Sequence, residues 1–160
     1  MSTDETPPGK GRRRRPAAPA AQNDPSLRPP ECYGPLGRDI GGYSNLAFTL
    51  IRLEHTLYLD PDTLPEIDAL IVANPKMFER LHWELGMYYG HVITHTFVRA
   101  EWEPPSGGSL PTVRIGRNLW VEVMPIAYRR LWGDDDSGPG TFSLAGNFAY
   151  IRRMADKHSR

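Results

Sequence analysis

The sequence predicts an α+β domain behind a basic tail, on three observations. Apolar residues recur at helical spacing between Tyr43 and Thr96, an alternation of period two takes over from Phe97 to Val123, and helical spacing returns from Pro125 to about residue 157. Helices grouped first and strands grouped after them favour a small antiparallel sheet over the alternation of a parallel one. The expected architecture is helices followed by a three-stranded antiparallel β-meander and C-terminal helices, packed around a central glycine-bearing helix.

From Tyr43 to Leu57 the apolar positions are 43, 46, 47, 50, 51, 53 and 57, which predicts a helix with Ser44 as its N-cap. Leu59-Asp60-Pro61-Asp62 ends it. Thr63-Leu64-Pro65-Glu66 has the form of a capping box, opening a short helix to Ala73. Asn74-Pro75 stops that helix and starts the next, which is predicted to run unbroken to about Thr96. Met77, Leu81, Leu85, Tyr88, Val92 and Thr96 form one stripe on it, and Trp83, Gly86, Gly90, Ile93 and Phe97 another, on roughly the opposite side. Two apolar faces mean burial on two sides. Gly86 and Gly90 each cost ~1 kcal/mol of helix propensity relative to alanine, which makes sense where another backbone comes close.

Val98, Ala100 and Trp102 alternate with Phe97, Arg99, Glu101 and Glu103 in a first strand. After the loop at 104–108, Val113 and Ile115 mark a second strand, and Leu119, Val121 and Val123 a third. Gly116-Arg117-Asn118 between the last two supplies residues that tolerate positive φ, as a tight hairpin needs. Pro125 begins a helix that Gly133 ends, Asp134 to Gly140 is an acidic turn, and Ser143 caps a last helix carrying Leu144, Phe148 and Ile151.

The formal charge of zero over 160 residues hides a split. Residues 1–30 hold six basic against three acidic residues, a net +3, and the remainder thirteen against sixteen, a net −3. The first thirty residues also contain seven of the sixteen prolines and no aromatic side chain. Such a segment cannot bury enough surface to offset its ordering entropy, so residues 1–32 are predicted to be a disordered Pro/Ala/Arg-rich tail, with a single α+β domain over 33–157. The run Arg12, Arg13, Arg14, Arg15 is followed by no apolar h-region, so an export signal is not expected. Those four arginines are the one candidate contact to nucleic acid, with a solubilising tail as the alternative. The alanine, proline and arginine bias fits a GC-rich, actinobacterial source.

Several classes of protein are excluded or disfavoured. No apolar run approaches the ~20 residues of a membrane helix. The single cysteine, Cys32, excludes an intramolecular disulfide and fits a reducing compartment, hence an expected cytoplasmic location. There is no Walker A loop, dinucleotide fingerprint or G-x-S-x-G elbow, so no cofactor is expected and no catalytic residue is assigned.

Two constellations carry candidate chemistry. His91 and His95 stand one helical turn apart, with Glu84 two turns before His91 and close to it around the axis, a geometry in which two imidazoles and a carboxylate can share a metal. The glutamate that activates water in an H-E-x-x-H zincin is missing, and packed, hydrogen-bonded histidines are the alternative. The hairpin offers an outward face of Arg114, Arg117, Trp120 and Glu122, flanked by Arg129 and Arg130, and tryptophan with arginine is the composition of interface hot spots. Asp134, Asp135 and Asp136 lack EF-hand spacing and read as a solvated turn or a partner contact.

Leu85-Gly86-Met87-Tyr88-Tyr89-Gly90-His91-Val92-Ile93, then Trp102, then Pro111-Thr112-Val113-Arg114-Ile115-Gly116, then Leu119 and Val121 to Val123, with Ser143-Leu144 opening the last helix, form a pattern over about residues 75–150. It resembles an uncharacterised actinobacterial domain-of-unknown-function family. The resemblance implies the helix-to-meander fold and no particular activity. With no catalytic set legible, the expected function is a non-enzymatic protein-interaction module, immunity-like or a regulatory adaptor, with an unidentified protein partner. The alternatives are a metal-binding protein or metal-dependent enzyme using Glu84, His91 and His95, and weak nucleic-acid association through Arg12, Arg13, Arg14 and Arg15.

Overall fold

Helices, a three-stranded sheet and further helices follow one another in the order expected, in a computed structural model that describes residues 42–103, 110–136 and 138–158. The tail at 1–32, with Cys32, lies outside the described residues, as does most of the loop after the first strand. Arg12, Arg13, Arg14 and Arg15, the expected contact to nucleic acid, therefore all lie outside them too. The elements are α1 (Ser44–Arg52), a 3₁₀ turn (Pro61–Thr63), α2 (Leu64–Ala73), α3 (Pro75–Phe78), α4 (His82–Thr96), β1 (Ala100–Trp102), β2 (Thr112–Ile115), β3 (Leu119–Glu122), α5 (Val123–Trp132) and α6 (Leu144–His158).

The sheet is an antiparallel meander in the order β1-β2-β3. Ala100 pairs with Ile115 and Ile115 with Leu119, so the three residues Gly116-Arg117-Asn118 close the hairpin, with Gly116 at φ 64°. Val113, Ile115 and Val121 turn inward and are buried, while Glu101, Trp120 and Glu122 are exposed. Helix α4 lies against α5 and against β1 and β2 of the sheet, and also touches α1. The buried residues of all these elements form one cluster.

Four boundaries differ from the sequence reading. Helix α1 ends at Arg52, not Leu57, because Glu54 takes a left-handed φ of 60° and the chain reverses there. Glu54 N donates to Ile51 O at 2.8 Å and His55 N to Leu50 O at 2.9 Å, the two bonds of a Schellman ending. Glutamate is an unusual residue at that position, so nothing in the residue types announced the stop. The predicted helix from Pro75 to Thr96 breaks over 79–81 into α3 and α4. Of its predicted second stripe, Gly86, Gly90 and Ile93 are buried, whereas Trp83 stands 48% exposed. The first strand starts at Ala100, since Ala100 N bonds back to Phe97 O and leaves Val98 wholly exposed. The last strand stops at Glu122, and α5 begins two residues before Pro125.

The close approaches at the two glycines of α4 are present, made chiefly by side chains. A Cβ on Gly90 would run into the ring of Trp102 from β1. One on Gly86 would sit 2.7 Å from Met124 Sδ and 3.3 Å from the carbonyl of Val123. Gly86 and Gly90 therefore set how tightly α5 and the sheet pack on the central helix.

Candidate interaction face

One charged residue that the sequence brought forward, Glu84, serves a helix end. Ser44 is not the N-cap of α1; Tyr43 holds that place and makes no capping bond. The cap comes from outside the helix. Glu84, in the first turn of α4, accepts Leu46 N at 2.7 Å and Asn45 Nδ2 at 2.6 Å. A carboxylate at the start of α1 meets both its free N–H groups and its dipole. Thr63 likewise makes no capping bond to α2: its Oγ1 donates to Asp60 O at 2.7 Å, and Glu66 pairs with His55 Nδ1 at 2.9 Å.

His91 and His95 each direct Nδ1 to a carbonyl one turn back on α4, Met87 O at 2.9 Å and His91 O at 3.0 Å. His91 lies edge-on between Tyr43 and Trp102, at centroid distances of 5.5 and 5.3 Å. Burial pushes its pKa below the ordinary imidazole value of 6.5, which favours the neutral ring. His95 is exposed. Among the described residues no group of three His, Cys, Asp or Glu side chains stands close enough to hold a metal ion. Glu84, His91 and His95 are therefore not gathered as a ligand set, because the carboxylate is held at the start of α1.

Arg130, expected beside the hairpin, is instead 2% exposed in the core. Its Nε stands 2.6 Å from Asp68 Oδ1, without the alignment of a hydrogen bond, and its Nη2 donates to Asp68 O at 2.7 Å. The Asp68 carboxylate also accepts Leu144 N and Ala145 N, each at 3.0 Å, at the start of α6. Ser143 completes that end as predicted, accepting Gly146 N at 3.0 Å. One buried ion pair thus ties α2, α5 and α6 together. It forms one wall of an open cleft of about 440 Å³ lined also by Val72, Thr141 and Phe142. The sequence reading missed Asp68. An acid between Ile67 and Ala69, the second of two in the mostly apolar helix Leu64–Ala73, was the available signal.

The acidic turn is closed on α5. Arg129 pairs with Asp134 at 2.5 Å and Tyr128 OH donates to Asp136 Oδ1 at 2.6 Å. The Asp136 carboxylate beside it holds the Tyr128 hydroxyl above its ordinary pKa. Asp135 is also engaged. These three acids are structural partners of the chain itself.

What stays open to solvent is the outer face of the sheet. Register brings Glu101, Arg114 and Trp120 into one row across the three strands, and Thr112 opposite Glu122 in the next. Glu103 extends that second row from the β1 side, its N–H bonded to Thr112 O. Arg114 is held between Glu101 and Glu103, with Nε 2.5 Å from Glu103 Oε1. Arg117 is exposed in the hairpin turn. Trp120 is 55% exposed, and among the described residues its side chain and that of Glu122 make no hydrogen bond, ion pair or ring contact. Register thus displays a half-exposed indole beside a guanidinium that two carboxylates hold.

Among the described residues no helix is long and apolar enough to cross a membrane. Compared with protein-family models, curated proteins and solved structures, the chain matches none.

Proposed function

We propose that the chain is a non-enzymatic protein-interaction module, an immunity-like or regulatory adaptor of the cytoplasm, and that it engages a protein partner through the outer face of β1–β3. The supporting observation is Trp120, half exposed in the middle of a strand, beside an arginine whose side chain is already fixed. A rigid aromatic and a pre-ordered guanidinium lose little conformational freedom on binding, which is why such pairs dominate interface energetics. The acidic turn at Asp134–Asp136 is left out of this surface because the carboxylates of Asp134 and Asp136 bond to α5.

Affinity capture with the full chain tests the proposal. A stoichiometric partner is expected at low salt with the native sequence and with Tyr150→Ala, which removes an exposed aromatic from α6. Trp120→Ala is expected to lower capture by at least tenfold. Capture of nothing, or equal capture by Trp120→Ala, overturns the proposal.

A further inference from the structure

The row Glu103-Thr112-Glu122 borders Trp120 and carries two carboxylates, Glu103 paired with Arg114 and Glu122 without an ion pair among the described residues. With Glu101, Arg114 and the exposed Arg117 of the hairpin turn, the outer face holds three acids against two bases. An exposed indole among carboxylates attracts a cation twice, through the ring face and through the neighbouring charge. The groups that fit best are guanidinium ions, which stack flat on tryptophan and fork onto carboxylates.

The chain carries such groups in its own tail. Lys10, Arg12, Arg13, Arg14 and Arg15 form its densest run of positive charge, and the tail's +3 opposes the −3 of the rest. Twenty-six residues separate Arg15 from Gly42, the first described residue. A flexible chain of that length spans about 28 Å on average, and prolines extend it further. A domain of this size has a radius of gyration of about 14 Å. The arginines can therefore reach any face, at an effective concentration on the order of millimolar.

We propose that Arg12–Arg15 of the chain's own amino-terminal tail occupy the outer sheet face, stacking on Trp120 against Glu103 and Glu122, and so compete with the protein partner for that surface. This inference rests on the docking face assigned above and adds the chemistry of its occupant: a partner that displaces the tail presents an arginine-bearing basic segment.

The test uses the ¹⁵N-labelled full chain and its four indole N–H resonances, from Trp83, Trp102, Trp120 and Trp132. Trp120→Phe identifies the Trp120 signal, and the Trp102 and Trp132 signals report that each variant is folded. The Trp120 resonance is expected to move between about 25 mM and about 500 mM NaCl, as screening releases the tail. Replacing Arg12, Arg13, Arg14 and Arg15 with glutamine is expected to place it at the high-salt position already at low salt, and E103Q/E122Q to shrink the salt-induced movement. These effects should be unchanged over an about twentyfold range of protein concentration.

A Trp120 signal indifferent to the four glutamines overturns the proposal. A response that grows with protein concentration also overturns it, assigning the face to another copy's tail. If Trp120 senses the tail while affinity capture fails, only the partner reading falls. If capture succeeds and Trp120 ignores the tail, only this inference falls.

Discussion

Gly90 and His91 are neighbours on α4, and Trp102 presses on both. The indole lies where a Cβ on Gly90 would stand, and edge-on to the His91 ring. Gly90→Ala regains ~1 kcal/mol of helix propensity but drives a methyl into a rigid ring held between helix and sheet. Overpacking of that kind costs about 1–3 kcal/mol, so thermal unfolding should occur at a lower temperature than in the native chain. Gly86→Ala should be milder, because the flexible Met124 can swing aside and only the Val123 carbonyl must give. His91 carries a pH dependence of definite sign. Its pKa is depressed in the folded state, so the unfolded chain takes up the proton first. The stability tied to the neutral ring is present above pH 6.5 and declines as pH falls through that value toward the folded pKa. Urea midpoints should drop between pH 8 and pH 5, and His91→Phe should flatten that drop.

Two helix starts are finished by acids from other elements: Glu84 of α4 for α1, and Asp68 of α2 for α6. Each bond exists only once the tertiary structure has formed, so α1 and α6 owe part of their stability to their neighbours. Asp68 also neutralises Arg130, which makes the three-helix junction of α2, α5 and α6 cooperative. Removing one partner leaves a buried charge uncompensated, so Asp68→Ala should destabilise by about 3–5 kcal/mol. Asp68→Asn with Arg130→Met should cost less than the two single changes added together, with a coupling of about 0.5–3 kcal/mol in a double-mutant cycle read by urea unfolding. The end of α1 and the break between α3 and α4 show where element-level reading fails. Periodicity locates apolar faces, but the stops at Glu54 and at 79–81 are set by backbone turns that no glycine or proline announces. Gly133 by contrast ends α5 at φ 73°, where glycine was expected to end it.

Across the whole molecule, apolar surface and charge are segregated. The inner face of the sheet belongs to the core, while the outer face carries the half-exposed Trp120 and charged side chains. Trp120→Ala should therefore lower the unfolding free energy by about 1 kcal/mol or less, the size of a lost cross-strand contact and well below a core truncation, measured in urea. A loss of capture by that variant would then report the surface and not the fold. The opposing charges of tail and body follow the same division: the one strongly basic run, Arg12 to Arg15, lies outside the described residues, and the exposed sheet face is acidic.

The sequence by itself determined the α+β order, the three-stranded meander with its hairpin at 116–118, the buried two-sided helix and the segregation of charge. These follow from periodicity, turn residues and composition, which act over a few neighbouring positions. It also singled out Arg114 and Trp120, because alternation places them on the outward face of their strands. Tertiary structure alone decided what the charged side chains do. Glu84 became a cap for α1, Arg130 went into the core to meet Asp68 62 residues away, and Asp134 and Asp136 bonded to α5. A charge is stabilised by whatever stands within a few ångströms of it, and for these residues that neighbour comes mainly from another element.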